Sequence, residues 1–529
     1  MEAQEWQWAR SIYSEEGTAV VSKIDFLQSD QLLMVGSFNG QYLSLGRNKL
    51  QSKGLEDIFI IKANEQMDIS WSFSIGGENV ERLDKVATDD QGNIYLAIHF
   101  YSLTIDVGNF NIINKGAQDA MLVKINMSNQ VEWVYQIGTI QTDQISAMAL
   151  DSKGNIFISG YTYEPNINDK GITTFLTKIS PKGDVKWSKM NAKPQGYSLI
   201  TDSNLFIDRL DNIYFNISVY GEVNFDIPFG LKDKWTSTTL KFNNAGSFIQ
   251  NYATPFLSNA TSNIDHGIYN IDRIDTSLYV NKFDFDFNLL WSKSLERVSL
   301  YGSPATGRVN FSNILEIDKV GNVYVTGPLS EFKYDTVVIE SDTFLLPNYY
   351  SDIGFIKLNK EGDLLFKKFI NGVYDDFGTS VAIKNENEIY LAGGFNSDYI
   401  IIGKQTLVNS NALQAVLVHR LGTFYKRNTY SFIALLSLDS LSIIENIKSQ
   451  DLLLYPNPTY NYFYLNSSNF DKLPINIQIL SYDGRIIRQD VKYPSWNEIK
   501  IDISDLPKGV YILQYSNSQT HGAQRFVKY

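Results

Sequence analysis

The chain has 529 residues, with 32 Tyr, 31 Phe, 8 Trp and no Cys, and its formal charge is −12. That length allows two or three domains with a sizeable core. The missing cysteines exclude disulfides, thiolate metal sites and thiol nucleophiles, and the negative balance excludes general binding to a phosphate backbone.

The N-terminus, Met1-Glu2-Ala3-Gln4-Glu5-Trp6, runs straight into a strand-like segment with no signal peptide. Ala3-Gln4 resembles the small-residue end of a cleaved export signal, so this start is expected to lie near a mature N-terminus; the alternative is a cytoplasmic protein with a genuine short start. No apolar run reaches the length of a spanning helix; the longest candidate, Ser431 to Ile444, contains Asp439.

One unit then recurs along the chain. Its clearest piece is an acidic residue, a Gly-Asn or Asp-Asn turn and an apolar-aromatic run: Asp89 to Leu96, Asp151 to Gly160, Asp208 to Phe215 and Asp318 to Gly327. Weaker copies occur at Asn387 to Gly393, Gln31 to Gly36 and Ser277 to Val280. Gly and Asn accept positive φ and an upstream Asp bonds turn amides, so each copy predicts a hairpin followed by a buried strand. Two further pieces recur in phase. One is an apolar strand ending in Lys, as in Ala120 to Ile125 and Thr174 to Ile179; the other carries Trp71, Trp133, Trp187, Trp291 or Phe366.

Hairpin strands starting near residues 32, 94, 156, 213, 278, 323 and 389 give seven units of four strands. Such units bury both faces only against neighbours, which predicts an all-β chain headed by a seven-bladed β-propeller. The step from 278 to 323 is short for the period, which leaves six to eight blades open. The last unit is expected to place its strands near Thr379–Lys384, Glu388–Phe395 and Gln414–Arg420 and to lack its own Trp strand. The strand around Trp8 is expected to fill that place and remove two sheet edges at once. The run Asp318-Lys319-Val320-Gly321-Asn322-Val323-Tyr324-Val325-Thr326-Gly327 resembles the bacterial propeller repeat with core Asp-x-x-Gly-Asn-Ile-Tyr-Val-Thr-Gly, a resemblance that covers roughly residues 5–420 and implies fold more than function.

The expected boundaries are a propeller at 1–421, a linker or extra strand at 422–450 and a small β-sandwich at 451–529. The last segment opens on Tyr455-Pro456-Asn457-Pro458, has a middle turn at Asp483-Gly484-Arg485, continues with Leu506-Pro507-Lys508-Gly509-Val510-Tyr511 and closes on Arg525-Phe526-Val527-Lys528. These motifs, in this order, resemble the C-terminal sorting domain of type IX secretion cargo in Bacteroidota. The resemblance implies an Ig-like sandwich, the type IX secretion machinery as partner, export through the periplasm, and a secreted or cell-surface location. An ordinary carbohydrate-binding or adhesive sandwich is the alternative.

No catalytic constellation stands out. His99, His266, His419 and His521 lie in different units and read as single structural or surface residues. Phosphate-loop, dinucleotide and serine-elbow motifs are absent. Asp284-Phe285-Asp286-Phe287-Asn288 begins like a Ca²⁺ loop but lacks the Gly and the bidentate Glu, and reads as a strand with one wet face. The Asp-x-x-Gly-Asn turns offer carboxylates to Ca²⁺, yet hairpin stabilisation accounts for them without a cofactor. Asp335-Thr336-Val337 and Asp439-Ser440-Leu441 match a short acceptor resembling Bacteroidota O-glycosylation sites, with Thr336 and Ser440 as acceptors. The inner-strand candidates Val86-Ala87, Met148-Ala149, Phe206-Ile207 and Val381-Ala382 are apolar, with Glu316 as the sole inner carboxylate. This favours a non-enzymatic surface platform binding a glycan or protein. The alternative is a glycan-active hydrolase or lyase with its site at the propeller mouth; a third reading is a structural surface-layer component.

Overall fold

A computed structural model describes residues 3–27, 30–45, 48–163, 172–191, 199–221, 223–230, 234–254, 257, 260–263, 266–274, 277–295, 314–329, 336–339, 342–345, 352–370, 372, 374–410, 413–419, 422–439, 453–455, 459–466, 474–481, 486–493, 498–516 and 521–528. Every regular element among them is a β-strand. They divide into a large unit, Glu5–Leu438, and a small one built on Asp439–Tyr529.

Among the described residues the large unit holds six antiparallel sheets of four strands and a seventh of six, sheet 7, in the order Asp376–Asn385, Glu388–Phe395, Tyr430–Asp439, Ala3–Glu15, Tyr42–Leu45 and Asn48–Gln51. Sheet 1 is Ala19–Phe26, Leu32–Phe38, Asp57–Ala63 and Ile69–Ile75; sheet 2 is Glu81–Thr88, Ile94–Phe100, Asp119–Ile125 and Val131–Ile137. Sheet 3 is Asp143–Leu150, Ile156–Tyr163, Ile172–Ile179 and Val185–Met190; sheet 4 is Leu199–Ile207, Ile213–Tyr220, Trp235–Phe242 and Phe248–Tyr252. Sheet 5 is Ala260–Asn263, Gly267–Ile274, Ser277–Phe283 and Leu289–Leu295; sheet 6 is Leu315–Ile317, Val323–Leu329, Asp352–Leu358 and Leu364–Ile370. Each sheet packs on the next, and the seventh packs on the first. Middle strands therefore meet neighbours on both faces, and Ile94–Phe100 and Asp119–Ile125 are buried along their whole length.

Sheet 7 corrects the expected boundary. Its third strand is Tyr430–Asp439, whereas Leu413–His419 forms a separate hairpin with Gly422–Arg427. The large unit thus runs past 421, and of the two expectations for 422–450, linker or extra strand, the described part holds strands, Gly422–Arg427 and Tyr430–Asp439. The fourth strand is Ala3–Glu15, as the Trp8 argument requires. Trp8 meets Tyr390 of the same sheet edge-on at 5.8 Å. The seam with sheet 1 is pinned by short polar bonds: Thr379 Oγ1 donates to the Val21 carbonyl at 2.6 Å, and the Val21 amide donates to Ser431 Oγ at 2.7 Å.

Sheet 5 brings a second correction. The strand at residue 278 is third in its sheet; the second starts at Gly267. Counted from there the repeat period is regular, and the signal Asp265-His266-Gly267-Ile268-Tyr269 was present with its turn shortened. Asp284–Asn288 is not a strand either. It is the next turn, with Asp284 Oδ1 accepting the amides of Asp286 and Asn288 at 2.9 and 2.8 Å.

Neighbouring sheets are joined by a recurring clip. The Trp133 indole and the buried Lys124 ammonium of sheet 2 both donate to the Pro181 carbonyl of sheet 3, at 3.0 and 2.8 Å. Trp187 and Lys178 do the same to the Asn244 carbonyl, at 3.2 Å each, and Trp291 and Lys282 to the Lys360 carbonyl, at 2.9 and 3.4 Å. Two residues after each acceptor stands a glycine at positive φ: Gly183, Gly246 and Gly362. A Cβ on any of them would come within about 3 Å of the indole, so only glycine lets the turn lie flat on the ring. Sheet 4 has Gln250 opposite Lys241, where sheets 1, 2, 3 and 5 have Trp and sheet 6 has Phe366. There Phe285 and Phe287 of the sheet 5 turn reach back to Tyr214, with centroids at 5.6 and 6.0 Å.

The small unit pairs a sheet of Leu453–Tyr455, Tyr462–Asn466 and Glu498–Asp502 with one of Ile486–Lys492, Ile475–Ser481, Gly509–Ser516 and His521–Lys528. Phe463, Leu465, Ile477, Ile501, Leu513 and Phe526 fill the space between them. Trp8→Ala should lower the unfolding free energy by about 3 kcal/mol, the usual cost of emptying a large aromatic site, as measured by urea denaturation.

Candidate functional site

The first strand of sheets 1, 2, 3 and 7 carries one extra residue at the same place, Ser22, Asp84, Ser146 and Thr379; in sheet 4 the extra residue, Thr201, stands two positions further from the hairpin. A bulge re-aims side chains, and its shared position in sheets 1, 2, 3 and 7 makes the slots of those sheets comparable. Four of these residues are hydroxyls. Sheet 2 departs, with Asp84 in the bulge.

Asp84 receives the His99 ring. His99 Nδ1 lies 2.9 Å from both carboxylate oxygens, and the two residues are 8% and 9% exposed. Gln144 of sheet 3 donates to Asp84 Oδ1 at 3.1 Å and accepts from the Tyr161 hydroxyl at 2.6 Å. This chain of bonds fixes the His99 tautomer with its proton on Nδ1. No partner meets Nε2 among the described residues.

Five residues after positions 32, 94, 156, 213 and 389, the second strand gives the same slot: Ser37, His99, Tyr161 and Gly394 in sheets 1, 2, 3 and 7, and Ser218 in sheet 4, whose Tyr220 stands two residues further on. Among these, only sheets 2 and 3 fill it with a ring, and those two rings and the nearby Tyr220 of sheet 4 each carry an edge-on aromatic partner. His99 meets Tyr101 at 6.0 Å, Tyr161 meets Tyr163 at 5.8 Å and Tyr220 meets Trp235 at 5.7 Å. The outer members, Tyr101, Tyr163 and Trp235, are 38%, 38% and 51% exposed. All lie at the end of the ring where the second strands finish, so three consecutive sheets form an arc of exposed aromatic faces over a buried polar network.

The inner strands are also less apolar than their sequence suggested. Glu316 is not their sole carboxylate: Asp25, Glu81, Asp84, Asp143 and Asp376 lie on first strands too. Lys23 reaches from sheet 1 to Glu316 of sheet 6 at 3.1 Å. Burial works against the Lys23 charge, but Glu316 and Asp25 outweigh it and hold the ammonium above its ordinary range. His99 is likewise not an isolated residue. His266 instead places Nε2 3.0 Å from the Lys319 carbonyl, where it supports the sheet 5–6 joint.

The hairpin carboxylates are fully occupied by protein donors. Asp208 Oδ1 accepts the Leu210 and Asn212 amides, and Oδ2 accepts Asn212 Nδ2 and the Tyr214 hydroxyl, all between 2.9 and 3.1 Å. Asp89 and Asp318 repeat the pattern. Burial opposes the Asp208 charge, yet these donors keep it below the usual carboxylate range.

In the small unit the motif residues work as staples. Lys528 is buried and donates to the Ile503 and Ser504 carbonyls at 2.7 and 2.8 Å. The Tyr511 hydroxyl donates to the Pro507 carbonyl at 2.7 Å, and its ring stacks on Phe526 at 5.4 Å. Leu506 is buried, Gly509 starts the strand that pairs with the terminal one, and Tyr455 lies in the first strand. Pro456, Asn457, Pro458, Asp483, Gly484 and Ser440 lie outside the described residues. Thr336 opens the strand Thr336–Ile339 of a two-stranded hairpin.

Residues 453–529 match the secretion system C-terminal sorting domain, and residues 132–168 match the beta-propeller repeat. No curated protein sequence matches the chain. Among solved structures it is similar to a protein of unknown function from Dyadobacter fermentans, at 8% identity and TM-score 0.37, over 83% of this chain and 100% of that one. An uncharacterized protein from Listeria monocytogenes matches at 12% identity and TM-score 0.35, over 76% and 97%. The polysaccharide lyase Uly1 matches at 10% and 0.28, over 79% and 90%. Lys528→Ala should cost the small unit about 2–3 kcal/mol, since two buried carbonyls lose a charged donor; thermal unfolding of the full chain, monitored by Tyr fluorescence, reads this out.

Proposed function

From an exported propeller-repeat chain that carries a type IX secretion sorting domain, we propose a surface platform that binds glycan through the Tyr101–Tyr163–Trp235 arc. The sorting domain gives the location, secreted or on the cell surface, and the secretion machinery as a partner. The observation that supports the binding role is the repetition of an exposed ring at one end of three consecutive sheets. Sugar rings present apolar C–H faces that stack on aromatic faces, while their hydroxyls need polar partners. Gln144, Asp84 and His99 supply such groups beneath the arc. The reading requires no cofactor.

A second reading, a glycan-active hydrolase or lyase, draws support from one observation: the Asp84–His99 pair leaves Nε2 as the free end of an oriented imidazole, which suits proton transfer. The two readings differ in outcome, since a catalyst converts the glycan it binds.

Two experiments test the proposal. On a glycan array the full chain should bind a defined glycan class, and Tyr163→Ala or Trp235→Ala should weaken that binding about tenfold or more, the scale of a central aromatic contact. Equal binding by both variants would defeat the arc as the contact surface. In the native host, deletion of residues 451–529 should retain the protein inside the cell; its continued appearance outside would defeat the sorting role.

A further inference from the structure

Three joints between sheets bury acids in pairs. The third strand of one sheet starts with an aspartate, and the first strand of the next starts with another acid: Asp57 with Glu81, Asp119 with Asp143, and Asp352 with Asp376. Five of the six are fully buried and Asp352 is 3% exposed. Parallel bridges Glu56↔Val80 and Gln118↔Thr142 set the next residues, and hence the first two pairs, side by side. At the third joint Gly372 lies between the partners. Its amide donates to Asp352 Oδ1, and a Cβ on it would meet Asp376 Oδ2.

Their known partners are neutral. Asp143 Oδ2 accepts the Thr139 amide and hydroxyl; Asp119 Oδ2 accepts the Lys115 amide and Gln136 Nε2. Glu81 accepts Gly77 N and Ser102 Oγ, and Asp376 accepts the Asn396 and Ser397 amides and Ser397 Oγ. No ion pair reaches any of the six among the described residues. The charged groups nearby are Lys53 and Glu56 beside Asp57, Lys115 beside Asp119 and Asp143, and Asp375 beside Asp352. Asp57 Oδ1, Asp119 Oδ1 and Asp143 Oδ1 are buried without a partner.

A dry pair of like charges with unpaired oxygens is neutralised most simply by one proton held between them. The carboxylates also pack directly on glycine backbone: a Cβ at Gly76 or Gly138 would come within 1.9 or 2.0 Å of the acid. We propose that these three joints are carboxyl–carboxylate pairs that each retain a proton on folding, making the ring a proton-loaded assembly that loosens as the pH rises. Burial pushes all six acids upward, Asp352 to about 7. An acid raised on folding stabilises fully below its unfolded value and loses that contribution as pH rises through its folded value.

Urea unfolding of the full chain at pH 5.5 to 8.5 tests this. Each retained proton should raise the unfolding constant up to tenfold per pH unit. Asp143→Asn supplies an amide donor that cannot titrate, so it should remove about one power of ten per unit from that slope and leave the protein as stable as the parent near pH 8. Glu81→Gln and Asp352→Asn give the same comparison at the other joints. Stability that stays flat or rises with pH would overturn the proposal, as would variants that destabilise equally at every pH. Stabilisation of the parent by Ca²⁺ over EDTA, lost in Asp143→Asn, would mean a cation occupies the pair and would also overturn it.

Discussion

The fold depends on a carbonyl oxygen shared by two donors. At three joints an indole N–H and a lysine ammonium, buried for Lys124 and Lys178 and part-buried for Lys282, converge on one backbone oxygen of the next sheet, and a glycine lets that backbone lie against the ring. The lysine also stands over an aromatic ring of its own sheet: Tyr95 at 5.8 Å, Phe157 at 5.2 Å, Tyr269 at 5.2 Å. A charge taken from water is thus matched by a carbonyl dipole and a π-face, and the cost of burying it is offset only when the neighbouring sheet is present. This ties the stability of each sheet to its successor, as expected for a repeat architecture.

Much of this was legible because the repeat exposes it. Asp-x-x-Gly-Asn, the Lys-ending strand and the Trp strand are one physical unit, and each residue type follows from its contact. Sheet 5 was misaligned because its turn lost two residues, so periodicity pointed at Leu278 where Tyr269 is the true counterpart of Tyr95. Asp284–Asn288 alternates like a strand, but its Phe residues belong to a turn that replaces a missing Trp from the opposite side. The third strand of sheet 7 was misplaced since Leu413–His419 and Tyr430–Asp439 are equally apolar, and only pairing with Glu388–Phe395 distinguishes them.

The candidate site was not legible. Asp84 and His99 are 15 residues apart and meet through a bulge that shifts register by one position, which no composition or spacing announces. Its signal was available only by difference: once slots are aligned, Ser37, Ser218 and Gly394 against His99 and Tyr161 mark where the ring stops being uniform. In such proteins the repeated residues explain the scaffold, and the exceptions are where recognition chemistry is to be sought.

The use of Ala3–Glu15 as the fourth strand of sheet 7 has a temporal consequence. The strand Ala3–Glu15 finds its partner, Tyr430–Asp439, only after more than four hundred residues have followed. Until then Leu436 and its neighbours do not exist, and the amphipathic N-terminal strand must wait as an open edge. Closure is therefore a late, long-range event of the kind that slows folding and exposes chains to aggregation. The last strand of the ring ends at Asp439 and the sorting module starts at residue 453, so the export label is synthesised only after the residues that finish the ring.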